Sequence, residues 1–211
     1  AEGAAPGVPR LSSLLARRAG AGAVVRSPEH AFGFLHRLDT PSSGLVVQAT
    51  SFEGFYDLCI QRELGLMQRE YVALCHGWIR GDRRVTARIR KHPGGSSEPS
   101  LHGRPAETRL KVLAHLQHEG SPLSLVVLSI LTGRTHQIRC HMQYVGHAVV
   151  CDSRYGMGRD AAWCGRPFLH RHRMTFRDLD GAACAAAEPP PPDLLAVLQR
   201  LAVVRGGRSV A

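Results

Sequence analysis

Three short groups of polar residues contain the side chains in this chain that are best suited to chemistry. The first is His36-Arg37-Leu38-Asp39, which is followed by the turn-forming segment 40–44. A carboxylate beside an arginine, on a turn rich in Ser, Pro and Gly before an apolar segment, lies where functional residues are often found. The same pattern also fits a solvated turn with an incidental ion pair, because charged residues are common on protein surfaces.

The second group is the segment GRTHQIR at 133–139, which opens a predicted helix. Gly133 permits a tight turn into the helix, so that the first-turn amides, Arg134 and Arg139 would form a cationic pocket. Such a pocket would bind a phosphate or keep a carboxylate ionised. A basic face on an ordinary helix is the alternative interpretation, and the segment by itself does not separate the two.

The third group is Arg69-Glu70-Tyr71, at the beginning of a predicted strand. A tyrosine in this place is a candidate catalytic residue. More often such a tyrosine only fills a half-buried position, because its ring is apolar and its hydroxyl is polar. The third group by itself therefore does not indicate a catalytic role, and it supports one only together with the other two groups.

Hydrophobic periodicity predicts the elements that must position these groups. The predicted helices cover about 10–18, 52–64 and 135–145, and a last helix begins with Asp193 as N-cap and ends near Gly206. The predicted strands cover about 45–49, 71–79, 107–115, 123–131 and 167–177, with a turn at 119–122 and a loop at 92–105. Strands outnumber helices and several form hairpins, which predicts an α+β fold with a mixed, mostly antiparallel sheet and flanking helices.

The composition narrows the class of protein and its partners. Of 211 residues, 27 are Lys or Arg and 17 are Asp or Glu, so the net charge of +10 favours an acidic partner such as nucleic acid. No apolar run reaches the roughly 18 residues of a membrane-spanning helix, so we expect no membrane partner. The six cysteines form no CxxC pair, which favours reduced thiols in an intracellular protein, either cytoplasmic or organellar. Twelve histidines raise the alternative of a zinc protein, but their spacing completes no zinc-finger pattern.

Taken together and in order, the three groups resemble the RluA-type RNA pseudouridine synthases. The segment 36–45 matches the signature HRLD-x-x-[ST]-SGL, with serine at Ser42 where threonine is usual. Further matches are [KR]-x-Y-x-A at 69–73, Gly-x-x-Ala-x-Thr at 103–108, GRTHQIR-x-H-x-x-x-x-GH at 133–147 and D-x-x-YG at 152–156. The segment LHRHRMTF at 169–176 resembles the family's LHA-x-x-L-x-F segment. One such motif is a weak signal, whereas this many in the same order make a specific resemblance over about residues 10–180.

The resemblance implies isomerisation of specific uridines to pseudouridine in structured RNA, with rRNA or tRNA as the first substrates and mRNA also open. It implies that Asp39 is the nucleophile, that the guanidinium of Arg139 grips the Asp39 carboxylate, and that Tyr71 stacks on the uracil and assists proton transfer. The target base would be flipped out of its helix. The residues implied to bind substrate or RNA are His36, Arg37, Arg69, Arg134, His136 and Leu169. This chemistry needs no metal and no cofactor.

The sequence departs from the family pattern at both ends. The NKPxG strand that family members carry upstream of the HRLD segment is not found here, and the tract Pro189–Pro192 and the last helix lie outside the resemblance. We therefore expect a loose segment at 1–9, the catalytic domain at 10–188, and a proline spacer with a helix at 189–211. The alternative function is a catalytically idle RNA-binding protein of the same fold that associates with ribosomal particles.

Overall fold

A computed structural model describes residues 11–18, 23–156 and 163–204 of the chain. Its helices are α1 (Leu11–Arg18), α2 (Phe52–Glu63), α3 (Gln137–Tyr144) and α4 (Pro192–Leu198), with short 3₁₀ turns at Ala23–Arg26 and Pro28–Gly33. Its strands are β1 (Ser43–Gly44), β2 (Gln68–His76), β3 (Arg83–Val85), β4 (Ile89–Lys91), β5 (Ser97–Pro99), β6 (Thr108–His118), β7 (Ser121–Ile130), β8 (Leu169–Arg177), β9 (Ala183–Ala187) and β10 (Ala202–Val203). None of the described helices is long and apolar enough to cross a membrane.

Most strands of the described residues belong to one sheet. Its order is β1-β8-β2-β7-β6-β10, with β3 also on β6 and β9 also on β8, whereas β4 and β5 pair only with each other. Strand β1 is parallel to β8, and β7 is antiparallel to both β2 and β6. The predicted α+β fold with a mixed, mostly antiparallel sheet is confirmed.

The long hairpin of β6 and β7 forms where the sequence predicts it. Glu119 and Gly120 connect the two strands with φ of 48° and 78°, and His118 pairs directly with Ser121. Two consecutive residues with positive φ match the right-handed twist of the strands that they join. The turn occupies residues 119–120 of the predicted 119–122, because β6 runs on to His118 and β7 already begins at Ser121.

Two predicted strands differ from the observed ones. Residues 45–49 form no regular strand: Gln48 makes an isolated bridge to Phe34, because this segment pairs with the irregular end of a 3₁₀ turn. Strand β2 begins at Gln68 and ends at His76, three residues earlier than predicted at each end. The following residue, Gly77, has a φ of 81° and breaks the extended conformation.

The C-terminal region is also different from its prediction. Helix α4 has Pro191 at its N-cap, with Asp193 inside the first turn, and it ends at Leu198. A turn follows the helix, and Ala202 and Val203 then pair with β6 as strand β10. The predicted loop at 92–105 contains strand β5. The predicted helix end near Gly206 and the predicted loose segment at 1–9 lie outside the described residues.

The described residues divide into two compact units. One comprises the residues up to Leu38 together with Val46–Met67 and Thr175–Cys184, and the other comprises Asp39–Leu45, Gln68–Met174 and the residues from Ala185 on. The second unit contains a core cluster in which Leu194 and Val197 of α4 are buried beside side chains of the sheet, including Leu74 and Leu123. Helix α4 is therefore a packed part of the second unit, and the domain boundaries at 9 and 188 stay a prediction.

Candidate active site

Asp39 opens the second unit on a tight turn. Its backbone carbonyl accepts a hydrogen bond of 2.8 Å from the Ser42 amide, and its side chain keeps 18% of its surface exposed. The Nη1 atom of Arg139 lies 3.5 Å from Oδ2 of Asp39, and Nε2 of His136 lies 3.9 Å from Oδ1. The fold thus brings the first and second of the three polar groups together around one carboxylate.

The strongest contact of Arg139 is with a different carboxylate, that of Asp152. Arg139 donates from Nε to Oδ2 and from Nη2 to Oδ1 of Asp152, both at 2.6 Å, and both side chains are almost fully buried. The resemblance implies that Arg139 grips Asp39, whereas in this structure its two-bond contact is with Asp152 and its contact with Asp39 is a single one at 3.5 Å. Asp152 occupies the Nε–Nη2 edge of the guanidinium, and Nη1 is the nitrogen that faces Asp39.

The two buried partners hold each other in their charged forms. Burial by itself would lower the pKa of Arg139, but the hydrogen bonds and charge of Asp152, aided by the charge of Asp39, raise it above its ordinary value. Burial would likewise raise the pKa of Asp152, yet the Arg139 hydrogen bonds and the amides of Tyr155 and Arg154 bring it below its ordinary range. Asp39 therefore faces a permanent cation without being locked in a two-bond clamp.

Helix α3 carries Arg139, and a polar network fixes how the helix begins. Gln137, 3% exposed, accepts hydrogen bonds from the Thr132 hydroxyl and the Arg134 amide and donates to the Glu107 carbonyl. The residue with the left-handed conformation is His136, with a φ of 52°, and not Gly133. Gln137 also donates to the Thr108 hydroxyl at the start of β6, so Arg139 is held by the sheet rather than by the helix alone.

His136 lies between Asp39 and Tyr155. Its Nδ1 is 3.0 Å from the Tyr155 hydroxyl, and its ring packs edge-on against the Tyr155 ring. Burial lowers the pKa of His136, and the nearby Asp39 charge opposes this only in part. A largely neutral imidazole supports the geometry by hydrogen bonding, which leaves Arg139 as the cation beside Asp39.

Tyr71 lies on β2 with 5% of its surface exposed. Arg171 of the neighbouring strand β8 donates to its hydroxyl from Nε at 2.8 Å and also from Nη2. Arg171 lies in the segment 169–176, which was predicted as part of a strand and as a family segment, but neither pattern gave a sign of its contact with Tyr71. Asp152 was visible as part of the D-x-x-YG match, but its pairing with Arg139 was not foreseen.

The other predicted site residues have different surroundings. Leu169 on β8 is buried, and Arg134 is half-buried and donates to the Pro105 carbonyl at 2.9 Å. In the first unit, His36 accepts a hydrogen bond from the Val47 amide at 3.2 Å, and Arg37 is exposed.

The expected RNA contact of Arg69 does not fit its position in the structure. Arg69 is only 3% exposed and donates to the Leu131 carbonyl at 2.9 Å. This contact braces the chain just before α3. Across the described ranges, no group of three or more His, Cys, Asp or Glu side chains is arranged to hold a metal ion.

Comparison with known proteins adds a second line of information. A family model described as RNA pseudouridylate synthase matches residues 24–144. Ribosomal large subunit pseudouridine synthase C of Haemophilus ducreyi is 35% identical over 152 residues, which are 67% of this chain and 46% of that protein. The synthase C of Escherichia coli is 38% identical over 155 residues, 67% of this chain and 47% of that protein. The chain spans less than half the length of these relatives.

Solved structures show the same likeness. Human RNA pseudouridylate synthase domain containing 1 aligns with a TM-score of 0.70 at 28% identity, over 84% of this chain and 76% of that one. Human RNA pseudouridylate synthase domain containing 4 aligns with a TM-score of 0.63 at 18% identity, over 80% and 76% of the two chains, and is similar in fold. The overall fold of this chain is thus one that other proteins share.

Proposed function

The chain belongs to the RNA pseudouridylate synthase family, and from this premise we propose that it isomerises uridine to pseudouridine within an RNA chain. The N1–C1′ bond of uridine breaks, the uracil turns, and a C5–C1′ bond forms, while C5 loses a proton and N1 gains one. Substrate and product are isomers, so the reaction consumes no oxidant, reductant or net water. It requires a nucleophile, a surface that holds the detached base, and a route for the C5 proton.

Asp39 is the proposed nucleophile. A carboxylate attacks as an anion, and the Arg139 guanidinium at 3.5 Å supplies the opposite charge beside it. Because the two short hydrogen bonds of Arg139 go to Asp152, the Asp39 carboxylate keeps the freedom to move toward the reacting nucleoside.

We assign the handling of the base to two neighbouring strands of the sheet. Tyr71 on β2 is proposed to stack on the uracil and to take part in proton transfer, and Leu169 on β8 is proposed to pack against the base. Strands β2 and β8 are adjacent, so one patch of sheet would present both side chains. Both are almost fully buried, so the base would contact the small part of each side chain that is exposed.

The substrate class that we propose is large-subunit ribosomal RNA, since the relatives above are named ribosomal large subunit pseudouridine synthases. The net charge of +10 supplies sequence-independent attraction to phosphates. A uridine inside a helix must leave its stack to reach Asp39, at a cost of a few kcal/mol. Arg37, which is exposed two positions before Asp39, is suited to fill the vacated space.

The observation that carries this proposal is the contact of Asp39 with Arg139, which joins the two family motifs at one carboxylate. The test uses large-subunit rRNA transcripts with tritium at C5 of uridine, since isomerisation releases that hydrogen to water. Asp39→Asn is expected to reduce the release of tritium below the limit of detection. The matched control Asp180→Asn makes the same chemical change on an exposed loop and is expected to act at the wild-type rate.

Two results would contradict the proposal. Wild-type turnover by Asp39→Asn would show that Asp39 is not the nucleophile. A wild-type protein that binds rRNA in a filter assay, yet forms no pseudouridine in total RNA, would favour the alternative of a catalytically idle RNA-binding protein.

A further inference from the structure

Arg171 is a buried arginine in β8 that makes a two-donor contact with Tyr71. It is 3% exposed, its Nε and Nη2 both donate to the Tyr71 hydroxyl, and its guanidinium carbon lies 4.9 Å from the centre of the Tyr71 ring. A buried guanidinium is costly unless its donors are met. The two side chains are therefore held in one mutual orientation.

The same arginine holds the end of the turn that begins at Asp39. Its Nη1 donates to the Leu45 carbonyl at 3.0 Å, and its own carbonyl accepts from the Leu45 amide at 3.1 Å. Gly44 makes this approach possible, since a Cβ there would lie 2.3 Å from the Arg171 carbonyl oxygen. One residue thus links the segment of the proposed nucleophile to the proposed base-stacking tyrosine.

The contact also determines what the Tyr71 hydroxyl is able to do. A neutral phenol oxygen accepts hydrogen bonds through its lone pairs and donates through its single hydrogen. Two N–H groups of Arg171 donate to the Tyr71 hydroxyl oxygen. The hydroxyl hydrogen then remains to donate a hydrogen bond to a substrate atom. Tyr71 would then approach the uracil as a donor in a fixed direction.

We propose that Arg171 is a positioning residue for the isomerisation: it aims the Tyr71 hydroxyl at the base and fixes the end of the Asp39 turn against the same strand. This inference rests on the proposed function, and it adds a residue that acts through Tyr71 rather than on the substrate. Hydrogen bonds to a charged donor are about twice as strong as neutral ones, so their loss should be visible in the rate.

The kinetic test is a double-mutant cycle on the full chain with saturating rRNA transcript. Arg171→Lys keeps the charge but loses the planar fork, and it is expected to lower kcat about 10- to 100-fold with little change in KM. In the Tyr71→Phe background the same substitution is expected to lower kcat less than about 3-fold, because the hydroxyl is gone. The control Arg109→Lys, at an exposed position of β6, is expected to keep the wild-type kcat. An equal loss in both backgrounds would overturn the proposal.

A second readout does not depend on turnover. The ultraviolet absorbance of Tyr71 is obtained by subtracting the spectrum of Tyr71→Phe from that of the wild type, and it is expected to shift when Arg171→Lys is introduced. An unchanged tyrosine spectrum would overturn the proposal even if Tyr71→Phe is inactive. If the wild type forms no pseudouridine, the proposed function fails, while the spectrum still reports whether Arg171 holds Tyr71.

Discussion

Replacing Asp152 by Asn tests whether the buried pair with Arg139 holds the site together. Asn has nearly the same shape as Asp but carries no charge. One of the two carboxylate oxygens that accept hydrogen bonds from Arg139 becomes an NH₂ group, which cannot accept. Asp152 is 0% exposed and Arg139 is 5% exposed at their side chains. Removing one partner of a buried pair typically costs about 3–5 kcal/mol, because the remaining charge is left uncompensated.

We expect the loss of stability caused by Asp152→Asn to lie at the lower end of that range. Asn retains an oxygen that accepts from the Arg154 and Tyr155 amides, as Oδ1 of Asp152 does now. Asp39 already faces the same guanidinium at 3.5 Å and is able to move closer. We therefore expect a loss of about 3 kcal/mol, which for a chain of this size lowers Tm by roughly 6–12 °C. We also expect kcat to fall about 10- to 100-fold, since Asp39 would be drawn out of position.

The matched control is Asp193→Asn, which makes the same change in a bidentate pair with Arg166. The Asp193 side chain is 55% exposed, and exposed pairs contribute about 1 kcal/mol or less. Thermal and urea unfolding of both variants at pH 7 would give the comparison. If Asp152→Asn loses no more stability than Asp193→Asn, or if its kcat equals that of the wild type, the reasoning about the buried pair is refuted.

The pH dependence of unfolding gives an independent check on the same pair. The pKa of Asp152 is held below its ordinary value, so its contribution to stability is fully present above about pH 4. It is lost as the pH falls through the lowered pKa of the folded state. The stability gap between wild type and Asp152→Asn should therefore close in acid, and a gap that stays constant down to pH 2 would contradict the assignment.

Three further predictions follow from single contacts or from the net charge. Arg139→Lys should lower kcat about 10- to 100-fold, because an ammonium cannot bind Asp152 bidentately while facing Asp39; wild-type single-turnover rates would refute this. Gly44→Ala should destabilise the protein by more than Gly120→Ala in urea unfolding. Both have positive φ, which costs about 1–2 kcal/mol for alanine, but only Gly44 has backbone within 3 Å of an added Cβ. RNA binding should weaken steeply between 50 and 200 mM salt. In a filter-binding assay, the logarithm of the binding constant plotted against the logarithm of the salt concentration should have a slope of about −0.7 to −0.9 per phosphate contact. A binding constant that does not change with salt would argue against phosphate contacts.

The sequence by itself determined the local elements and the family. Helix α2 was predicted at 52–64 and is observed at Phe52–Glu63, with the Ser51 hydroxyl accepting from the Gly54 amide at its N-terminus. The β6–β7 hairpin follows from a two-residue turn between apolar strands. Such features depend on neighbours in the chain, which is why periodicity and turn chemistry predict them. The ordered motifs likewise indicated the family before any geometry was known.

The tertiary structure decided which polar groups are partners. The resemblance implied that Arg139 grips Asp39, but the sheet and α3 put Asp152 closer to the guanidinium, and the sequence holds no rule for choosing between two carboxylates. The sequence around Arg69 resembles that around an RNA-binding arginine, yet in the folded chain Arg69 is buried and donates to the Leu131 carbonyl.

The role of Arg171 was also invisible, because its contact with Tyr71 exists only where β8 and β2 lie side by side. Partner choice of this kind depends on distances of a few ångströms between segments far apart in the chain. Local patterns do not encode those distances, and packing of the sheet does.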